Sequence, residues 1–189
     1  MHVRQMSISY QPEQDRILVR VNTSENRELQ FWFTRRLTLG LAPLMERLVN
    51  ENAAKRGDPA TTHLVSADPV TQKAMADFKR SETIRSADFS TPYQVTETNA
   101  PLFDSPLLIT DVNLAPIAAG ALRLQCSEKL SGAPQTRKFE LALSDTLTHA
   151  FMHLLERAVV ASQWRGNRPT EPAAAATAPA VPPTPGYLN

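Results

Sequence analysis

The sequence predicts an α+β protein made by tandem duplication of a β-β-β-α unit, with antiparallel sheet or sheets, helices on one face and a disordered Pro/Ala-rich C-terminal tail. Three observations lead there. Arg27 to Val49 reads RELQFWFTRRLTLGLAPLMERLV and Arg137 to Val159 reads RKFELALSDTLTHAFMHLLERAV, and the two align without a gap at an offset of 110 residues. The alignment sets Arg27 on Arg137, Leu37 on Leu147, Thr38 on Thr148, Leu44 on Leu154, Glu46 on Glu156 and Arg47 on Arg157, and such repetition fixes architecture before any other reading. In both copies the hydrophobic period changes from 2 to 3.6 at the same point, which is the passage from strand to helix. From Gly166 onward, six of the fifteen prolines fall in the last 24 residues, a composition that cannot build a core.

Met6, Ile8 and Tyr10 alternate with Ser7 and Ser9, the pattern of a half-buried strand, and Pro12 ends it. Ile17, Val19 and Val21 make a second strand after the turn at Glu13 to Asp15. Leu29, Phe31 and Phe33 make a third, with Gln30 and Trp32 on its outward parity. Thr34 is a natural N-cap, and Leu37, Leu41, Leu44 and Leu48 form the stripe of the helix that follows. Pro43 within it lacks a backbone N–H and crowds the preceding turn, which predicts a kink near Leu39 to Pro43.

The second unit repeats the order. Leu107, Ile109, Val112 and Leu114 suggest one strand ending at Pro116, then Leu122, Leu124 and Cys126 match Val19, Val21 and Thr23 at an offset of 103. Phe139, Leu141 and Leu143 give the third strand, and Ser144 caps a helix with the stripe Leu147, Ala150, Phe151, Leu154, Ala158 and Ala161. The expected organisation is therefore residues 1–56 as the first unit and 57–105 as an excursion with a short helix at about 69–85. Residues 106–165 form the second unit and 166–189 the tail. One three-stranded meander with a helix is too small to cover its own apolar faces, so the two copies are expected to pack together.

Cys126 is the single cysteine, which excludes an intrachain disulfide and a cysteine-based metal site within one chain. No run approaches the roughly 20 apolar residues needed to span a bilayer, and the N-terminus has no apolar leader, so the expected location is cytoplasmic, with no membrane partner. The net charge of +1 gives no field that by itself implies nucleic acid. None of the nucleophile-elbow, phosphate-loop, dinucleotide or HExxH motifs is present, and no cofactor is implied, so the expectation is that the chain is not an enzyme.

Candidate partner-binding residues are Trp32 and Arg20 on one sheet face, Arg35 and Arg36 in the first turn of a helix, and Tyr187 and Leu188 at the tip of the tail. An aromatic beside a guanidinium suits a protein hot spot or a base-stacking platform. Two arginines at the positive end of a helix dipole are mildly unfavourable, so an acidic group is expected opposite, with Glu28, the excursion carboxylates or an external phosphate or acidic partner as candidates and an internal salt bridge as the favoured reading. Asp145, His149 and His153 lie four residues apart on one helix face and are weak candidates for a metal; a solvated helix side is the favoured reading.

The expected function is a noncatalytic protein-interaction or assembly protein, an adaptor or scaffold, binding unidentified protein partners or forming a homodimer. The alternative is a single-stranded nucleic-acid-binding protein using the Trp32 and Arg20 face. In architecture alone, duplicated meander-plus-helix units are similar to Whirly and Pur-type single-stranded nucleic-acid proteins, which use four strands per helix where this chain has three.

Overall fold

The structure, a computed structural model, describes residues 1–55, 81, 82, 85, 93, 100–118, 121–132 and 135–166. It is α+β. Among the described residues there are two sheets, of five and three strands, and two long helices.

β1 (Val3–Gln11), β2 (Arg16–Thr23) and β3 (Arg27–Thr34) form an antiparallel meander. Pro12 opens a single 3-10 turn, with its fixed φ and missing N–H well suited to a first helical position. Asp15 closes that turn in the left-handed region at φ 47°, its N–H donating to the Pro12 carbonyl. Ile17, Val19, Val21, Leu29, Phe31 and Phe33 line the inner face and are fully buried. α1 (Arg35–Lys55) starts directly after β3, and Thr34 Oγ1 accepts from the Leu37 N–H at its first turn. Pro43 lies inside this helix without ending it.

β4 (Ala100–Pro101) and β5 (Leu107–Leu108) add to the free edge of β3 in parallel. This corrects the wholly antiparallel expectation: β3 pairs antiparallel with β2 on one side and parallel with β4 and β5 on the other. β6 (Asp111–Pro116), β7 (Leu122–Glu128) and β8 (Arg137–Leu143) form the second antiparallel meander. α2 (Asp145–Ser162) follows, with Ser144 Oγ accepting from Leu147 N–H. The expected helix at 69–85 falls outside the described residues, except that Ser81, Glu82 and Arg85 are helical. The tail also lies outside them beyond Gly166.

The single strand expected over Leu107 to Pro116 is two strands in different sheets. Ile109 N–H donates to the Trp32 carbonyl in the first sheet, and the next amide, Thr110 N–H, donates to the Ser127 carbonyl in the second. Consecutive amides in a strand point opposite ways, so one extended segment stitches both sheets. A second stitch is made by the first two residues: the Met1 carbonyl accepts from Ala142 N–H of β8, and the His2 carbonyl accepts from Ser24 N–H beyond β2. The sheets are thus joined along both margins. Their inner faces meet inside, with the Phe31 and Phe139 rings 4.9 Å apart, and one hydrophobic cluster takes residues from both sheets and both helices.

α2 runs against β1, α1 against β6, and the helices touch each other. Both are turned from the expected stripes. In α1 the buried row is Thr38, Leu41 and Met45, with Leu44 54% exposed; in α2 it runs through Thr148, Phe151 and Leu155, with Leu154 only half-buried and Ala161 exposed. Thr38 and Thr148 are both fully buried in the first turn, Thr148 with its hydroxyl donating back to the Ser144 carbonyl and Thr38 with its hydroxyl unpartnered among the described residues.

Candidate functional site

Even-numbered residues of β2 and β3 point away from the core. The cross-strand pairs on this outer face are Leu18 with Trp32, Arg20 with Gln30 and Asn22 with Glu28. Leu18 and Asn22 are buried, whereas Arg20, Gln30 and Trp32 are half-buried. Tyr93 accounts for part of the cover: its hydroxyl lies 2.8 Å from Asn22 Oδ1 and 3.0 Å from Glu28 Oε1. A phenol has one hydrogen, which the Glu28 carboxylate takes; the Asn22 contact is then satisfied when the amide presents its NH2 to the phenol oxygen. Burial first, and the Glu28 charge second, push the Tyr93 phenol well above its ordinary range. Arg20 belongs to the same face, and its Nε is buried with no hydrogen-bond partner among the described residues.

Arg35 and Arg36 do not join Trp32 and Arg20. Both are exposed at the start of α1. Arg35 donates to the Trp164 carbonyl at 2.6 Å and its charge acts on Asp15; Arg36 acts on Asp111. Asp15 and Asp111, whose charged forms these arginines favour, lie 20 and 75 residues away in the chain.

Around Arg35 the chain builds a clasp. Trp164, 4% exposed just beyond α2, donates its indole N–H to Asp15 Oδ1 at 2.6 Å and meets the Tyr10 ring edge-on at 5.7 Å. Tyr10 donates its hydroxyl to the same Asp15 oxygen at 2.9 Å. The Trp164 and then the Tyr10 hydrogen bond hold the Asp15 carboxyl below the usual carboxylate range, and the bond to Asp15 raises the Tyr10 phenol. One side chain thus ties together the β1–β2 turn and the end of α2. Residue pattern alone missed this group; the one available signal was a tryptophan just past a helix end.

The outer face of the three-stranded sheet is polar. Asn113 donates to Gln125, Gln125 donates to Glu140, and Arg123 pairs with the other Glu140 oxygen at 3.1 Å. Asp111 is held low by the Thr110 hydroxyl and by Lys129, 3.6 Å away. Beneath it, Glu128 is 4% exposed; it accepts from Leu108 N–H at 2.7 Å and pairs with Arg137, which closes the margin between the sheets. Burial pushes the Cys126 thiol up to about 12, so it is held as an unreactive thiol at neutral pH.

Asp145, His149 and His153 lie half-buried on α2, each with interactions inside the fold. Among the described residues no group of three His, Cys, Asp or Glu side chains has the geometry to hold a metal. No described helix is long and apolar enough to cross a membrane. Tyr187 and Leu188 lie outside the described residues. No family model, no curated protein and no solved structure matches this chain.

Proposed function

We propose that the chain is a noncatalytic interaction protein, an adaptor or assembly scaffold, built from two copies of a β-β-β-α unit and holding a protein partner on the outer face of its five-stranded sheet. The duplication is supported by the two margins. Trp32 pairs with Leu108 and Ala142 with His2, so residues 110 apart on β3 and β8 meet residues 106 apart on the segments that join the sheets. The buried helix rows are also 110 apart: Thr38 and Thr148, Leu41 and Phe151, Met45 and Leu155. Strand pairing sets β2 and β7 at 105 rather than 103, because Val21 faces Leu29 as Cys126 faces Phe139. The longer hairpin in the second copy then absorbs five residues rather than seven.

The binding reading is carried by one observation: Trp32 is half-buried on a face where Arg20 keeps a buried, unpartnered Nε among the described residues. A buried donor without an acceptor costs about 1 to 3 kcal/mol, which an acceptor brought by a partner recovers. A tryptophan beside an arginine is the composition of an interface hot spot. The Glu28 carboxylate on the same face opposes a phosphate backbone, which favours a protein partner over nucleic acid. The noncatalytic reading is supported by the use of the carboxylates, since Asp15, Asp111, Glu128 and Glu140 are each engaged in bonds within the fold.

The test is capture by the full chain followed by crosslinking, with Trp32→Ala and Arg20→Ala compared against Arg47→Ala on the exposed side of α1. The same crosslinked partner should be lost in the first two variants and kept in the third. Retention in all three overturns the assignment of this face. A shift of single-stranded DNA or RNA at low salt that Trp32→Ala abolishes would replace it with the nucleic-acid reading.

A further inference from the structure

Glu28 on β3 and Lys138 on β8 hold like places in the two sheets. Glu28 pairs with Asn22 on β2, Lys138 pairs with Ser127 on β7, and each lies four residues before a residue, Trp32 or Ala142, that pairs in parallel with the segment joining the sheets. At Glu28 the edge is filled: β4 lies along it in parallel, Leu102 N–H donates to the Glu28 carbonyl at 2.7 Å, and the Tyr93 phenol rests on Asn22 and Glu28. At Lys138 no described residue pairs with the same edge. Residues alternate along a strand, and Ala142 turns its N–H outward to Met1, so Lys138 and Glu140 present their backbone groups on that open side. Over the face of this sheet, from β6 across β7 to β8, lies a hollow of about 680 Å³ whose lining includes Asp111, Asn113, Gln125, Ser127, Lys138 and Glu140.

We propose that β8 receives a segment of a partner protein whose end adds as a parallel strand at Arg137 and Lys138, with an acidic side chain from eight residues earlier in that segment folded back over Ser127 and Lys138, as Tyr93 and Pro101 both reach Glu28. The proposal rests on reading the two sheets as counterparts, and it adds a second partner surface to the Trp32 face. Strand addition draws affinity from backbone hydrogen bonds and specificity from the side chains beneath. The change of side chains sets that specificity. Asn22 and Glu28 offer a carboxylate that holds a phenol, whereas Ser127 and Lys138 offer a hydroxyl and an ammonium, which call for an anionic acceptor. Lys138 has no ion-pair partner among the described residues, because Glu140 is taken by Arg123 and Gln125 and Asp111 by Lys129. Among the described residues, the hollow therefore keeps one unpaired ammonium, next to a strand edge that no described residue pairs with.

The test titrates the full chain with two synthetic peptides that copy residues 93–102, one carrying Tyr93→Glu and the other Tyr93→Gln, followed by backbone amide chemical shifts. The glutamate peptide is expected to bind about tenfold tighter, the scale of one charge-assisted hydrogen bond. Its shifts should centre on Ser127 and residues 137–140. In Lys138→Gln the advantage should vanish, and in Ser127→Ala it should shrink. Equal affinities, no binding at millimolar peptide, an advantage that survives Lys138→Gln, or shifts centred on Arg20 and Trp32 would each overturn the proposal. Trp32→Ala should leave this titration unchanged, so a failure here leaves the Trp32 surface standing and loss of the Trp32 partner leaves β8 standing.

Discussion

Replacing Trp164 by alanine is expected to cost about 3 kcal/mol, because the side chain closes the core where α2 ends. The indole is 4% exposed, meets Tyr10 edge-on at 5.7 Å and donates to Asp15 at 2.6 Å. Buried tryptophan-to-alanine changes cost about 3 to 5 kcal/mol, and the lower end applies here because Asp15 and Arg165 beside it are exposed and the site can partly collapse. At roughly 2 to 4 °C per kcal/mol for a chain of this size, the melting temperature should fall by about 6 to 12 °C. Trp164→Phe keeps an aromatic edge against Tyr10 but deletes the N–H that Asp15 accepts, so it should fall between wild type and Trp164→Ala. The assay is urea unfolding followed by far-ultraviolet circular dichroism, which does not depend on the altered fluorophore. A loss below about 1 kcal/mol for Trp164→Ala, smaller than an ordinary core truncation, would refute the clasp as a fastening of α2 to the first sheet.

The clasp also sets a pH window. Asp15 is lowered from 3.8 in the fold, so its contribution is present above 3.8 and is lost as pH falls further; Tyr10 is raised from 10.0, so its contribution is lost as pH rises beyond 10.0. Stability measured from pH 5 down to pH 2.5 should therefore drop less steeply in Asp15→Asn than in wild type, and parallel curves would contradict this. Glu128→Gln should cost about 1.5 to 3 kcal/mol in the same urea assay, since a buried carboxylate held by Arg137 and the Leu108 amide is replaced by a neutral group. Cys126 should react with a thiol reagent at pH 8 only as fast as the protein opens, so the rate should follow added urea; fast labelling of the native protein would show that its burial is wrong.

The strands and helix starts were legible because local chemistry decides them. Alternating apolar residues set β2, β3, β7 and β8, and the Thr34 and Ser144 hydroxyls mark where each helix begins. What the pattern hid was non-local. The split between β5 and β6 did leave a trace, since Leu107 and Ile109 share one parity while Val112 and Leu114 share the other, but pairing partners in a second sheet cannot be read from one segment. Helix rotation was off because the buried rows run through Thr38 and Thr148, polar residues that an apolar stripe leaves out. Among the candidate residues, Trp32 and Arg20 were legible by strand parity as one face. Arg35 donates instead to the Trp164 carbonyl, 129 residues away, a partner that only the fold brings near.

The central claim is that two counterpart halves share one core closed along both margins. Native-state amide hydrogen exchange tests it most directly, read at Val19 and Phe31 in one sheet and at Leu124 and Leu141 in the other. Exchange of all four with one common opening free energy, falling in step as urea is added, is the predicted result. Two separate free energies, with one sheet exchanging while the other stays protected, would contradict the account.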